Sequence, residues 1–211
     1  MRSYQQYCAL ARALDVIGDR WTLLIVRELL IGEARYSDLL KGLPGIATNL
    51  LATRLTELES TGLVRREVVP PPVAATVFRL TPRGAALRPV IYELGRWAAP
   101  LMTPPVPGEH MRARWIALPI EMYLHDRTPK AKPVAVQIEG DDEPIVIETL
   151  DGQVRARTGT VLRPDLVITG SPALALALLL GKASVTGAKT RGIRFKGNVK
   201  ILDRLRMPRT G

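Results

Sequence analysis

Apolar residues recur at helical spacing through most of the first hundred positions and at strand spacing only in short runs. Leu10, Leu14, Ile17, Trp21, Leu24 and Ile25 return every three or four residues for most of their course, which predicts helix over 8–31. Gly18 and Asp19 interrupt that seam, so a break is expected there, with Trp21 buried at the joint. The stretch RYSDLLKGLPGIATNLLATRLTELEST, residues 35–61, divides into two short helices about a tight turn. Ser37 is the expected N-cap of the first, and Pro44 and Gly45 stop it near Gly42. The second is expected over about 47–60. Leu51, Leu55 and Leu58 share one of its faces, and Thr48, Asn49, Ala52, Thr53 and Thr56 lie opposite. Gly62 is placed to end it. Two β-prone runs, 63–69 and 76–81, then flank a proline-rich tip at 70–72 and predict a hairpin. Thr81 and Pro82 open a further helix through Leu87, Val90, Ile91, Leu94 and Trp97. That helix carries more apolar positions than one small domain needs.

The pattern changes after Pro100, Pro104, Pro105 and Pro107, which predict a linker at 104–109 between a first domain, 1–103, and a second, 110–211. A helix at about 111–124 precedes four strand-like runs, 134–139, 144–150, 152–157 and 166–169, with Asp151-Gly152 marking a hairpin turn. The acidic run 141–143 reads as a solvated turn rather than a metal site, because its carboxylates are adjacent and no histidine accompanies them. Ser171 and Pro172 open ALALALLLGK, a helix apolar on every side, which implies burial on most faces or one wall of an apolar cavity. Leu174, Leu176, Leu178 and Leu180 are the candidate lining of such a ligand pocket. A strand at 193–196 and a helix at 199–205 close the chain, so the whole reads as α+β.

Composition narrows the partners. The 211 residues carry a formal net charge of +10, which favours a polyanion, nucleic acid before an anionic membrane surface. Both halves are basic, so charge alone does not say which meets it. One cysteine, Cys8, excludes an intramolecular disulfide and fits a reducing cytoplasm. The longest apolar run, 173–180, falls far short of the roughly 20 residues that span a bilayer, so no membrane insertion is expected. His110 and His125 are the only histidines, and no GxSxG, phosphate loop or paired-carboxylate spacing is present. No enzyme, catalytic residue, metal or cofactor is therefore expected.

Helix, helix, then hairpin is the order of a winged helix-turn-helix. A helix anchored by leucines and showing small uncharged polar residues is suited to a DNA major groove. The plainer alternative is a helical hairpin whose polar face is only wet. Arg65, Arg66 and Arg79 on the hairpin would reach phosphates beside the groove, against the alternative of a solvated hairpin face. The basic residues Lys189, Arg191, Arg194, Lys196, Lys200, Arg204, Arg206 and Arg209 would likewise track phosphate, meet an acidic ligand or form a solvated edge.

Three runs carry a family resemblance: CALARALDVIGDRWTLLIVREL, RYSDLLKGLPGIATNLLATRLTELESTGLVRRE and FRLTPRGAALRPVIYELGRWA. Collinear over residues 8–99, they resemble the HxlR-type winged-helix transcription regulators. The resemblance implies a homodimer on double-stranded DNA, the second helix of the motif in the major groove and the hairpin as wing. It puts Thr48, Asn49, Thr53 and Arg54 on the DNA side, while Ala47 departs from the polar residue usual at the helix start; Ser37 is a further candidate DNA contact. It also makes Cys8 a candidate redox sensor; the default for a thiol beside Leu10 and Leu14 is burial and inertness. DLVITGSPALALALLLGKASVTG followed by RFKGNVKILDRL resembles the sterol-carrier-protein-like α+β fold and implies a site for a small apolar ligand. The expectation is a transcription regulator responsive to such a ligand. Its rival is a lipid-like ligand carrier that uses the winged helix only to dimerise.

Overall fold

The structure, a computed structural model, describes residues 3–70, 74–102, 109–140 and 143–205. The chain folds as two compact units, Met1–Thr103 and Pro104–Gly211. The expected linker, apart from Glu109, the hairpin tip beyond Pro70, the acidic residues 141–142 and the basic residues Arg206 and Arg209 lie outside the described residues.

In the first unit, α1 (Ala9–Ile17) and α2 (Thr22–Ile31) are separate helices, as Gly18 and Asp19 predict. Trp21 stands between them at φ 79°, a left-handed conformation unusual for a bulky residue, and it is half-buried rather than buried. Ile25, Val26, Leu29 and Leu30 of α2 form the centre of the core. Strand β1 (Ala34–Arg35) leads into α3 (Tyr36–Gly42). Ser37 is not the N-cap of α3 but lies exposed in its first turn. Arg35 holds the cap position, its backbone N–H donating to Asp38 Oδ2 at 3.2 Å. Gly42 ends α3 against fully buried Glu28, where an added Cβ would stand 2.6 Å from Glu28 Oε2.

Helix α4 (Thr48–Ser60) follows a turn through Gly45. Its carboxyl end is closed by Gly62 at φ 69°: Gly62 N–H donates to Glu59 O at 3.0 Å and Leu63 N–H to Leu58 O at 2.9 Å. This reciprocal pair satisfies carbonyls that the helix leaves open. Strands β2 (Val64–Val69) and β3 (Ala75–Leu80) pair antiparallel, and β1 joins β3 on its other side. The single helix expected after Thr81 is two, α5 (Pro82–Ala85) and α6 (Arg88–Ala98). Thr81 caps the first, accepting from Gly84 N–H at 3.1 Å while its hydroxyl donates to Gly62 O at 2.6 Å.

The second unit is a five-stranded sheet in the order β6-β5-β4-β7-β8. Its strands are β4 (Ala135–Glu139), β5 (Ile145–Leu150), β6 (Gln153–Thr158), β7 (Leu166–Thr169) and β8 (Arg194–Gly197). β4 and β7 run parallel and the other neighbours antiparallel. Asp151 and Gly152, at φ 50° and 76°, make the β5–β6 turn that their types predict. Helices α7 (Ala117–Tyr123, entered through a 3₁₀ turn) and α8 (Pro172–Leu179) pack on the sheet where Val136, Ile138, Ile147 and Ile168 are buried. Short α9 (Val185–Thr190), not expected from the pattern, and α10 (Ile201–Leu205) complete the unit.

The four leucines singled out on α8 do not form one wall. Leu178 is fully buried in the core with Ala175 and Leu179, while Leu174, Leu176 and Leu180 are half-buried. Alternate residues on a helix diverge by about 200°, so this set spreads around the axis. Arg204 departs from its expected role as a surface cation. It grips Asp126 with Nε on Oδ1 and Nη2 on Oδ2, both at 2.7 Å, and its Nη1 donates to Lys132 O at 2.7 Å.

Candidate nucleic-acid interface

Leu51, Leu55 and Leu58 are buried to 0%, 1% and 2% exposure, which fixes the rotation of α4 about its axis. Thr48, Asn49, Ala52, Thr53 and Thr56 are all exposed as a result. Tyr36 of α3 ties the two helices together, its hydroxyl donating to Thr48 O at 2.6 Å. Nothing in the hydrophobic pattern marks that bond. Ala47, at the N-cap, makes no side-chain bond, so the first turn of α4 has backbone N–H groups to offer an anion.

The exposed face is locally ordered. Thr53 Oγ1 donates to Asn49 O at 3.0 Å and Thr56 Oγ1 to Ala52 O at 3.1 Å, leaving both hydroxyl oxygens as acceptors. Asn49 Oδ1 accepts from Leu50 N–H at 2.9 Å; the same oxygen keeps a second lone pair, and its NH₂ group supplies two donors.

Arg54 does not join this face. Only 16% of its side chain is exposed, and its Nη1 lies 2.7 Å from Asp19 Oδ2 and 2.5 Å from Glu57 Oε2. Together with Ser3, Tyr4, Leu14, Asp15 and Gly18 these residues line an open cleft of about 570 Å³.

The hairpin separates its three arginines. Arg65 stands opposite Arg79 in the β2–β3 register, and Arg66 opposite Phe78, so period-two alternation puts Arg66 on the other face. Arg66 Nη2 lies 3.1 Å from Glu59 Oε2 of α4, and its guanidinium sits 5.2 Å from the Phe78 ring centroid. Arg65 is 3.4 Å from Glu67, while Arg79 pairs with Glu33 and, at 3.5 Å, with Glu67. A phosphate meeting any of the three competes with a carboxylate already present. Cys8, expected buried by default, is exposed at the N-cap of α1, where its neighbour Leu10 is also exposed.

Two helices joined by a glycine turn, the second with a dry leucine seam and a small polar outer face, followed by a two-stranded wing, define a winged helix-turn-helix DNA-binding protein. Residues 16–105 match the HxlR-like helix-turn-helix family, and residues 127–208 match the SCP-2 sterol transfer family. The uncharacterized HTH-type transcriptional regulator YvaP of Bacillus subtilis (strain 168) is 38% identical over 93 residues, spanning 44% of this chain and 86% of that protein. The HTH-type transcriptional regulator YodB of the same organism is 36% identical over 86 residues, 41% of this chain and 77% of YodB. In Mycobacterium bovis, the uncharacterized HTH-type transcriptional regulator Mb3122 is 32% identical over 137 residues, 59% of this chain and 86% of its own length. The solved structure of reduced YodB is 32% identical and aligns over 48% of this chain and all of YodB, with a TM-score of 0.41. The chain belongs to the HxlR-like helix-turn-helix family of DNA-binding transcription regulators and carries an SCP-2-like second unit. No helix among the described residues is long and apolar enough to cross a membrane.

Proposed function

We propose that the protein regulates transcription in the cytoplasm as a homodimer that recognises one operator sequence, with α4 of each subunit in a major groove and no catalytic step. The observation that carries this reading is the division of α4 into a buried leucine seam and an exposed row of Thr48, Asn49, Thr53 and Thr56. Those side chains offer donors and acceptors without a fixed charge, which suits base edges. Ser37 and the wing residues Arg65, Arg66 and Arg79 would fix the register against phosphate.

Dimerisation is supported by apolar surface that α1, α2 and α6 leave open. Leu10, Leu14, Leu24, Val90, Leu94 and Trp97 are exposed, and the groove beside the first five holds about 530 Å³. A two-fold partner covering it would present two α4 helices about 34 Å apart, one turn of duplex. Within the second unit, the half-buried leucines of α8 and the match to a sterol transfer family support an apolar ligand that adjusts DNA binding.

A mobility-shift titration with the DNA upstream of the protein's own coding region, against a scrambled duplex of equal length, tests the reading. Preference for the upstream fragment at equal salt is the expected result. Equal affinity for both would leave the winged helix as a dimerisation module.

A further inference from the structure

From Asp165 to Asp203 the chain contains six lysines and arginines and, between those two aspartates, no acidic residue. The six are Lys182, Lys189, Arg191, Arg194, Lys196 and Lys200, and all are exposed. They gather on α9, on β8 and on the turns flanking them. β8 is an edge strand, bonded to β7 on one side only. Its register sets Arg194 and Lys196 beside Thr169 and Val167 on one face of the sheet and Phe195 on the other, where Lys189 stands 6.0 Å from the ring centroid. Cations therefore flank both faces of a single edge. A lysine or two suffices to keep an edge strand from pairing with another chain. Six cations over consecutive elements exceed that need.

The contrast with the wing is chemical. Arg65, Arg66 and Arg79 each have a carboxylate partner, whereas none of these six has an ion pair among the described residues. A phosphate approaching Arg194 or Lys196 displaces water and counterions, and one approaching Arg79 must first displace Glu33 and Glu67.

We propose that the α9–β8 edge of the second unit is a phosphate-binding surface for the backbone of duplex DNA. The proposal rests on the DNA-binding reading of the first unit. Charge complementarity selects the partner class, and the make-up of the patch selects duplex over membrane. Among the described residues, the exposed large apolar side chains include none on α9, β8 or the turns flanking them, and Leu162, 94% exposed, is a single residue in the loop before β7 rather than the apolar helix face that interfacial binding uses.

The test is fluorescence anisotropy on a mixed-sequence duplex of about 40 base pairs, between about 50 and about 200 mM KCl, using the full chain and the triple variant Arg194→Gln, Lys196→Gln, Lys200→Gln. Each lost phosphate contact lowers the slope of log K against log salt by about 0.9, so the triple variant should lose about 2 to 3 in slope for each subunit whose edge meets the duplex. Far-UV circular dichroism and Tm check that it folds; should it not, Lys196→Gln alone is expected to lower the slope by about 0.9 for each such subunit. An unchanged slope in a folded variant overturns the proposal, and so does loss of wild-type binding to phosphatidylglycerol vesicles in the variant with the DNA slope intact. Failure of the wild type to bind any duplex would instead overturn the parent reading.

Discussion

In the complex proposed above, Asn49 decides whether α4 reads bases or only rests against DNA. Its amide offers an acceptor and two donors in the plane that adenine requires, and a good bidentate pair discriminates by about 1–3 kcal/mol. Asn49→Ala should lose that amount at a single base position, measured by competition among operators carrying one substitution each. Equal losses on cognate and scrambled DNA would remove base readout from this residue. Arg66→Ala should behave differently, weakening every sequence alike and lowering the salt slope by about 1. Its pair with Glu59 is more than half exposed on the arginine side, so little change in Tm should accompany the loss. The leucine period of α4 was legible in the chain, and with it the outward face. Even the fate of Arg54 was half legible, because at 100° per residue it lies about 60° from the seam, beside Leu58 rather than opposite it. That Asp19 and Glu57 would hold it there was not legible.

At the level of elements, α4 depends on its core anchors and the second unit on one internal ion pair. Leu55→Ala opens a cavity at a side chain that is 1% exposed and should cost about 2–5 kcal/mol, read from urea unfolding. The pair of Asp126 with Arg204 joins the segment after α7 to α10, and the Asp126 side chain is only 1% exposed. Hydrogen bonds from Arg204 hold the Asp126 carboxyl below its ordinary value, and Asp126 raises the Arg204 guanidinium in turn. A depressed carboxylate stabilises the fold at pH above its unfolded pKa, about 3.9, and that contribution is lost as pH falls through the folded value. Unfolding followed by circular dichroism should therefore show acid sensitivity setting in below about pH 4, and Asp126→Asn should flatten that part of the curve. Arg204→Met leaves the carboxylate buried without its partner and should cost about 3–5 kcal/mol. Most strands and helices were legible from period and turn chemistry. β1 was not, because two residues carry no period, and α9 was hidden by its small and polar composition.

For the molecule as a whole, the exposed apolar surface of α1, α2 and α6 is the feature that a single chain leaves unsatisfied. If the proposed dimer forms through this surface, Leu94→Glu should convert it to monomer in light scattering and weaken operator binding, since one half-site contributes alone. A dimer that persists would move the interface elsewhere. The sequence by itself determined the two-part organisation of helices and hairpin followed by sheet, the leucine seam of α4, the turns at Gly62 and Asp151-Gly152, and the basic excess, because each follows from local spacing or simple count. Tertiary structure decided which cations are free to meet a polyanion. Arg54 finds Asp19, Arg79 finds Glu33 and Arg204 finds Asp126 across 35 to 78 residues of chain, and no period along a sequence records which distant carboxylate folding brings within reach.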